Sequence, residues 1–218
     1  MMFGTGDRIL TDHDAACMPG DILLDGEGLR ALGALLGLAA LVGTGEGLRR
    51  RGVSAATTRR LVHAGVALFV AATPLLFERP LPVYGLAALF TVVNAAARAR
   101  CWWSGIHEAR PESWGTVALP LSVLPALAAT WSISPERLLP LHAAYLVLAL
   151  SDPAASWAGE RWQPKPPHQT TTAVGSLAFA GVAFILLTGV LVGAGRWALP
   201  TGLGAAVGAA LVSTAAEA

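Results

Sequence analysis

Uncharged apolar runs close to 20 residues long recur along this 218-residue chain, and they constrain its fold more than any other feature. A helix rises about 1.5 Å per residue, so crossing a hydrocarbon layer about 30 Å thick takes about 20 mostly apolar residues. Seven runs approach that length, at approximately 30–48, 61–78, 81–98, 115–133, 137–158, 173–194 and 197–216. Each is bounded by charge or by Pro/Gly punctuation, such as Glu78-Arg79-Pro80 and Pro135-Glu136-Arg137. With 54% hydrophobic and only 13% charged residues, the chain has too little polar surface to be a soluble domain. The expected fold is all-α, a polytopic integral membrane protein of about seven transmembrane helices. Residues 1–28 read as a polar tail and 29–218 as a single transmembrane helical domain.

The charge pattern excludes some functions and sets an orientation. A net charge of +1 gives no electrostatic footprint for a nucleic acid. Cys17 and Cys101 are far apart, with no spacing suited to metal or redox chemistry. The first residues are acidic where a signal peptide would be basic, so the tail reads as uncleaved. Its Asp12, Asp14 and Asp21 lack the glycine and glutamate of a calcium loop. Connections 1–2, 3–4 and 5–6 hold Arg49, Arg50, Arg51, Arg59, Arg60, Arg98, Arg100, Arg110, Arg161 and Lys165, whereas the others hold Arg79, Arg137 and Arg196. Ten against three puts the first set in the cytoplasm and the N-terminus outside. The setting expected is the cytoplasmic membrane, crossed several times, with the long polar loops facing the nucleotide pool. Small-residue pairs at Gly33/Gly37, Gly189/Gly193 and Gly204/Gly208 are expected to let helices pack closely.

Ionisable and amide groups at membrane depth need partners or tasks, because their burial costs several kcal/mol. Glu46, His63, Asn94, Asp152 and Glu217 are of this kind. Ser151-Asp152-Pro153 interrupts an apolar run, and proline cannot donate to the helix ladder, so the helix is expected to break and restart with Asp152 as N-cap and Pro153 at N1. Asp152 is then either a capping residue or a Mg²⁺ ligand beside a phosphate-binding helix start. Ser156, Gly159 and Glu160 follow near its face; Glu160 either assists with metal or faces water.

Three further polar stretches lie toward the same side. In TTRRLVHAG, Arg59 and His63 share a helical face, suited either to an anion or to interfacial anchoring. RARCWWSGIHEARPESWGTVALPL combines interfacial Trp102, Trp103 and Trp114 with His107 and Arg110, which suit phosphate contact. GERWQPKPPHQTTTAVGSLAF sets Arg161, Lys165, His168 and three threonines where a triphosphate is held, although the P-loop pattern is absent.

These stretches, in this order, resemble the membrane family of dolichol, phytol and other polyprenol kinases, distant relatives of phosphatidate cytidylyltransferase. The resemblance spans about 160 residues: RRLVHAG at 59–65, the Arg98 to Pro120 stretch ending in WGTVALP, and SDPAASWAGERW with VGSLAF. It implies a Mg²⁺-dependent kinase that moves the γ-phosphoryl group of CTP, or ATP, to a lipid alcohol of phytol, polyprenol or dolichol type or to diacylglycerol. By position Asp152 matches the family's metal-binding aspartate, Arg60 and His63 its RK…H motif, and Gly175 and Ser176 its Gly-Ser pair. On that reading Arg60, Arg161 and Lys165 hold phosphates, with Arg59 and Arg110 beside them, while His63 or Glu160 orients or deprotonates the alcohol. The chain departs from the family where Thr171, Thr172 and Val174 replace a Lys-Ser/Thr pair and a Glu, and it ends just after Glu217, where relatives run on. The alternatives are cytidylyl transfer to phosphatidate and a non-catalytic membrane protein or transporter on the same scaffold.

Overall fold

A computed structural model describes residues 26–100, 114–134, 137–162 and 172–193, and among these it contains helices and short connections only. Six helices follow in order: α1 Gly26–Arg50, α2 Ala55–Leu76, α3 Leu81–Ala99, α4 Gly115–Ala129, α5 Leu138–Trp162 and α6 Ala173–Gly193. All but α4 are long and apolar enough to cross a membrane. The seventh expected run, 197–216, lies outside the described residues, as do the polar tail up to residue 25, Cys101, His107, Arg110, Lys165, Gly204 and Gly208.

The outer surface carries the membrane argument. Leu29, Leu75, Leu81, Val92, Leu177 and Ile185 are exposed on helices whose opposite faces are equally apolar. Helices hydrophobic all round suit lipid rather than water. The main core gathers Ala67, Val70 and Ala71 of α2, Val83 and Leu86 of α3, Val123 and Leu127 of α4, and Leu141 and Tyr145 of α5. A smaller core of Ala143, Val147, Phe179, Ala183 and Leu187 joins α5 to α6.

Local chemistry sets the helix ends. The Gly52 N–H bonds Arg49 O at 3.0 Å and the Val53 N–H bonds Leu48 O at 3.1 Å, closing α1 in a Schellman turn. That turn needs the left-handed backbone of Gly52, at φ +90°. Ser54 then caps α2, its hydroxyl accepting from the Thr57 N–H at 3.2 Å. Consequently α2 runs back alongside α1.

Two expectations are corrected here. The helix does not break at Ser151-Asp152-Pro153: α5 continues from Leu138 to Trp162 with Pro153 inside it. Proline removes one ladder bond but does not forbid a helix held on both sides, and α5 is packed between α2 and α6, with Ala149 and Ser151 buried. Asp152 is therefore not an N-cap. The run expected at 115–133 is helical only to Ala129, with Pro120 and Pro125 inside and a turn beginning at Thr130. At 1.5 Å per residue its 15 residues reach only about 22 Å.

The small-residue pairs are also corrected. A Cβ on Gly33, Gly37, Gly189 or Gly193 would meet nothing within 4 Å, so these glycines mediate no helix contact among the described residues. Close approach occurs instead at Gly45 against Val62, Gly65 against Leu41, and Gly159 and Gly175 against Thr172. Spacing identifies small residues on one face; only the packing of the helices decides which face meets a neighbour.

Candidate functional site

The helices alternate in direction, which sorts the charges between two ends. Arg49, Arg50, Arg51, Arg59, Arg60, Arg98, Arg100 and Arg161 lie at or beyond helix ends that meet on one side. Arg30, Arg79 and Arg137 lie on the other, where Arg30 pairs with Glu78 at 3.1 Å. Aromatic rings accompany the arginine-rich end. The Arg98 guanidinium sits 4.7 Å from the centroid of the exposed Trp114 ring, and Trp157 and Trp162 meet edge to face at 5.1 Å. Trp114 thus takes the place of an interfacial anchor.

At this end α2 and α5 are joined by an ion pair between Arg60 and Glu160. Deeper in, His142 Nδ1 lies 2.6 Å from Ala71 O, so the two helices run antiparallel. Asp152 is eight residues from Glu160 and ten from His142. Counting from these two anchors sets it abreast of the α2 stretch between Leu61 and Leu68, which contains His63. Asp152 is half-buried. Beside it Ser151 is fully buried, and its hydroxyl has no hydrogen-bond partner. Glu160 is exposed and engaged with Arg60, so its carboxylate serves first as a link between helices.

The start of α6 is pinned against α5 at the same end. Thr172 is buried, and its hydroxyl accepts from the Gly175 N–H at 3.1 Å while its carbonyl accepts from the Ser176 N–H at 2.9 Å. A Cβ on Gly159 would stand 2.6 Å from Thr172 Oγ1, and one on Gly175 would stand 2.9 Å from that oxygen and 3.0 Å from Ala155 O. Gly175 is accordingly a packing glycine at the described end of the loop, and Ser176 is half-buried beside it. Thr172, one of the positions that depart from the family pattern, is here the cap of α6.

A narrow cleft opens between α1, α2, α3 and α4, with a cavity volume of about 60 Å³. Its walls are apolar, with Val66, Phe69, Leu86, Phe90 and Val123 among them. Its polar groups are His63, Asn94 and Thr116, which come from the arginine-rich ends of α2, α3 and α4. Asn94 donates to Phe90 O at 2.8 Å. Among the described residues, His63 Nε2 and Thr116 Oγ1 are buried with no hydrogen-bond partner, and Thr116 is only 7% exposed. Buried polar atoms are nearly always satisfied, so two orphans lining one cleft suit a ligand with a hydrogen-bonding group at that level.

Of the residues expected from sequence, Arg59, Arg60, His63, Asp152, Glu160, Arg161, Gly175 and Ser176 lie toward one end of the bundle. Arg59 and Arg60 are half-buried on the first turns of α2, and Arg161 is exposed in the last turn of α5. Arg110 and Lys165 lie outside the described residues. Thr116 is not among the residues expected from sequence; its available signal is a hydroxyl in the first turn of a mostly apolar helix. Among the described residues no group of three or more His, Cys, Asp or Glu comes together. A Mg²⁺ ion often takes only one or two carboxylates and completes its shell with substrate phosphates and water, so the lack of such a group does not bear on a site of that kind. No known protein family, no characterised protein and no solved structure matches the chain.

Proposed function

We propose that this chain is a membrane lipid kinase, which transfers the γ-phosphoryl group of CTP or ATP to the hydroxyl of a lipid alcohol. The observation that carries this reading is the cleft: an apolar slot whose buried His63 Nε2 and Thr116 Oγ1, without hydrogen-bond partners among the described residues, lie at the end of the bundle where arginines gather. An alcohol with a long apolar tail fits that division of chemistry, and a triphosphate fits the cations beside it. The same reading takes the arginine-rich end as cytoplasmic, the N-terminus as outside and the seventh apolar run as a further span.

Phosphoryl transfer depends chiefly on positioning and charge neutralisation. Neutral His63 accepts a hydrogen bond at Nε2 from the lipid hydroxyl and takes its proton as the oxygen attacks. An O–P bond forms to the γ-phosphorus, the bond from γ-phosphorus to the bridging oxygen breaks, and the nucleoside diphosphate leaves. Thr116 holds the hydroxyl in line. Arg59 and Arg60 neutralise the phosphate oxygens, with Arg60 exchanging its bond to Glu160 for one to the nucleotide; Arg161, Arg110, Lys165, Gly175 and Ser176 complete the expected phosphate site. Asp152 would hold Mg²⁺, which would supply charge neutralisation on the transferring group.

The test is transfer of label from γ-³²P-CTP and γ-³²P-ATP to isoprenoid alcohols and diacylglycerol, with Mg²⁺ and an Asp152→Asn control. Labelled lipid that disappears in a folded control supports the kinase. Pyrophosphate released from CTP and phosphatidate would replace it with cytidylyl transfer. Silence on every pair, with no nucleotide-dependent thermal shift, would leave a non-catalytic membrane protein.

A further inference from the structure

A lipid must reach the cleft from the bilayer, so one wall of the cleft has to open at hydrocarbon depth. The described structure offers a specific place. A second and wider cavity, of about 570 Å³, lies between α1 and α3. Val42 of α1 and Phe90 of α3 line both cavities, so these two side chains form a shared wall. The groove is apolar along Leu35, Ala39, Leu89 and Val93 and becomes polar at Glu46 and Arg50, whose side chains pair at 3.1 Å. From Leu35 to Arg50 it extends about 22 Å at 1.5 Å per residue, with its charged end at the arginine-rich side. The inner cleft extends about 16 Å along α3, from Val83 to Asn94, close to the roughly 15 Å of hydrocarbon in one leaflet, so an acceptor chain longer than that must leave it.

We infer that the groove between α1 and α3 is the lateral passage for the lipid acceptor, with the chain beyond the inner cleft lying in the groove and Phe90 and Val42 forming its sill. This rests on the reading of the cleft as the acceptor's site. Three observations favour an apolar lipid chain as the occupant. The groove is continuous with a cleft that holds polar atoms unpartnered among the described residues, and its charged pair stands at the arginine-rich end. In addition, among the described residues α1 is loosely held, with only Leu38 and Gly45 buried along its 25 residues. Gly43 and Gly47 line the groove, and a Cβ on either would meet nothing within 4 Å. They leave the passage unobstructed.

The open space at these glycines also provides the test, because a side chain added there fills the groove without displacing the packing. Full-length wild type, Gly43→Phe and Gly47→Leu would be reconstituted in phosphatidylcholine vesicles and exposed to two photoactivatable diazirine alcohols, one short-chain and one long-chain. Both variants are expected to retain the wild-type melting temperature. Crosslinking by the long-chain probe is expected to fall by about tenfold or more, since losing even a few buried methylenes weakens binding by that factor, while the short-chain probe is unaffected. In wild type, a diazirine at the far end of the long chain is expected to mark Leu89, Val93 or Ala39. Unchanged long-chain crosslinking, equal loss of both probes, or distal label on the outer face of α5 or α6 would each overturn the passage. Label transfer from nucleotide, measured in parallel, separates the two readings: crosslinking at the groove without phosphorylation would sink the kinase alone, and phosphorylation of both alcohols unchanged by groove filling would sink the passage alone.

Discussion

Replacing Gly159 with Ala adds one methyl group where α5 meets the start of α6. Its Cβ would stand 2.6 Å from Thr172 Oγ1, closer than real Cβ contacts come, so Thr172 must move. Forcing a methyl into a packed contact costs about 1–3 kcal/mol. Displacing the Thr172 hydroxyl also breaks its bond to the Gly175 N–H, an N-cap worth about 1 kcal/mol. Alanine regains about 1 kcal/mol over glycine in helix propensity. The net expectation is a loss of about 1–3 kcal/mol, or about 2–12 °C in melting temperature for a chain of this size. Gly37→Ala and Gly189→Ala serve as controls, because their Cβ positions face open space and only the propensity gain remains. Thermal unfolding of all three in one detergent, together with Thr172→Ala and the Gly159→Ala/Thr172→Ala double variant, checks each contribution. Removing the Thr172 hydroxyl relieves the clash, so the double variant should lose at least about 1 kcal/mol less than the two singles added together. If Gly159→Ala were as stable as Gly37→Ala, or if the two changes were additive, the packing of α6 on α5 described above would be refuted.

Other consequences are open to direct measurement. In a double-mutant cycle of Arg60→Gln and Glu160→Gln, the coupling should be about 1 kcal/mol or less and shrink with added salt, because Glu160 is half exposed; a coupling of several kcal/mol would mean that the pair is shielded from water. Thr116→Val should leave stability unchanged or raise it by up to about 1 kcal/mol, since it replaces an unsatisfied hydroxyl with a methyl, while crosslinking to a lipid alcohol falls. Marked destabilisation would place a hydrogen-bond partner on that hydroxyl. In cells, cysteines introduced at Arg51 and Arg100 should resist a membrane-impermeant thiol reagent while one at Glu78 reacts, and the reverse pattern would invert the orientation.

The membrane character of this chain is written in its sequence, because lipid demands long runs without charge and any run of about 20 apolar residues satisfies that demand locally. The Schellman turn at Gly52 and the cap at Ser54 are equally local, fixed by which residues tolerate a left-handed backbone or lend an oxygen to a free N–H. The sequence also assembled Arg60, His63, Asp152 and Glu160 as polar groups that needed reasons. Their relations were decided elsewhere. That Arg60 meets Glu160 a hundred positions away depends on the antiparallel register of α2 and α5. The expected break at Pro153 is absent because neighbouring helices hold α5 through it, a force that a local rule for proline does not contain. Glycine spacing chose the wrong contacts for the same reason: Gly33 and Gly37 have the right interval and no neighbour among the described residues, while Gly159 meets Thr172 and Gly175 meets Ala155 across a helix pair that no interval encodes. The cleft is the clearest case, since His63, Asn94 and Thr116 sit on three different helices, each in a mostly apolar stretch. Sequence determines what each helix is made of; only packing determines which of those groups share a cavity.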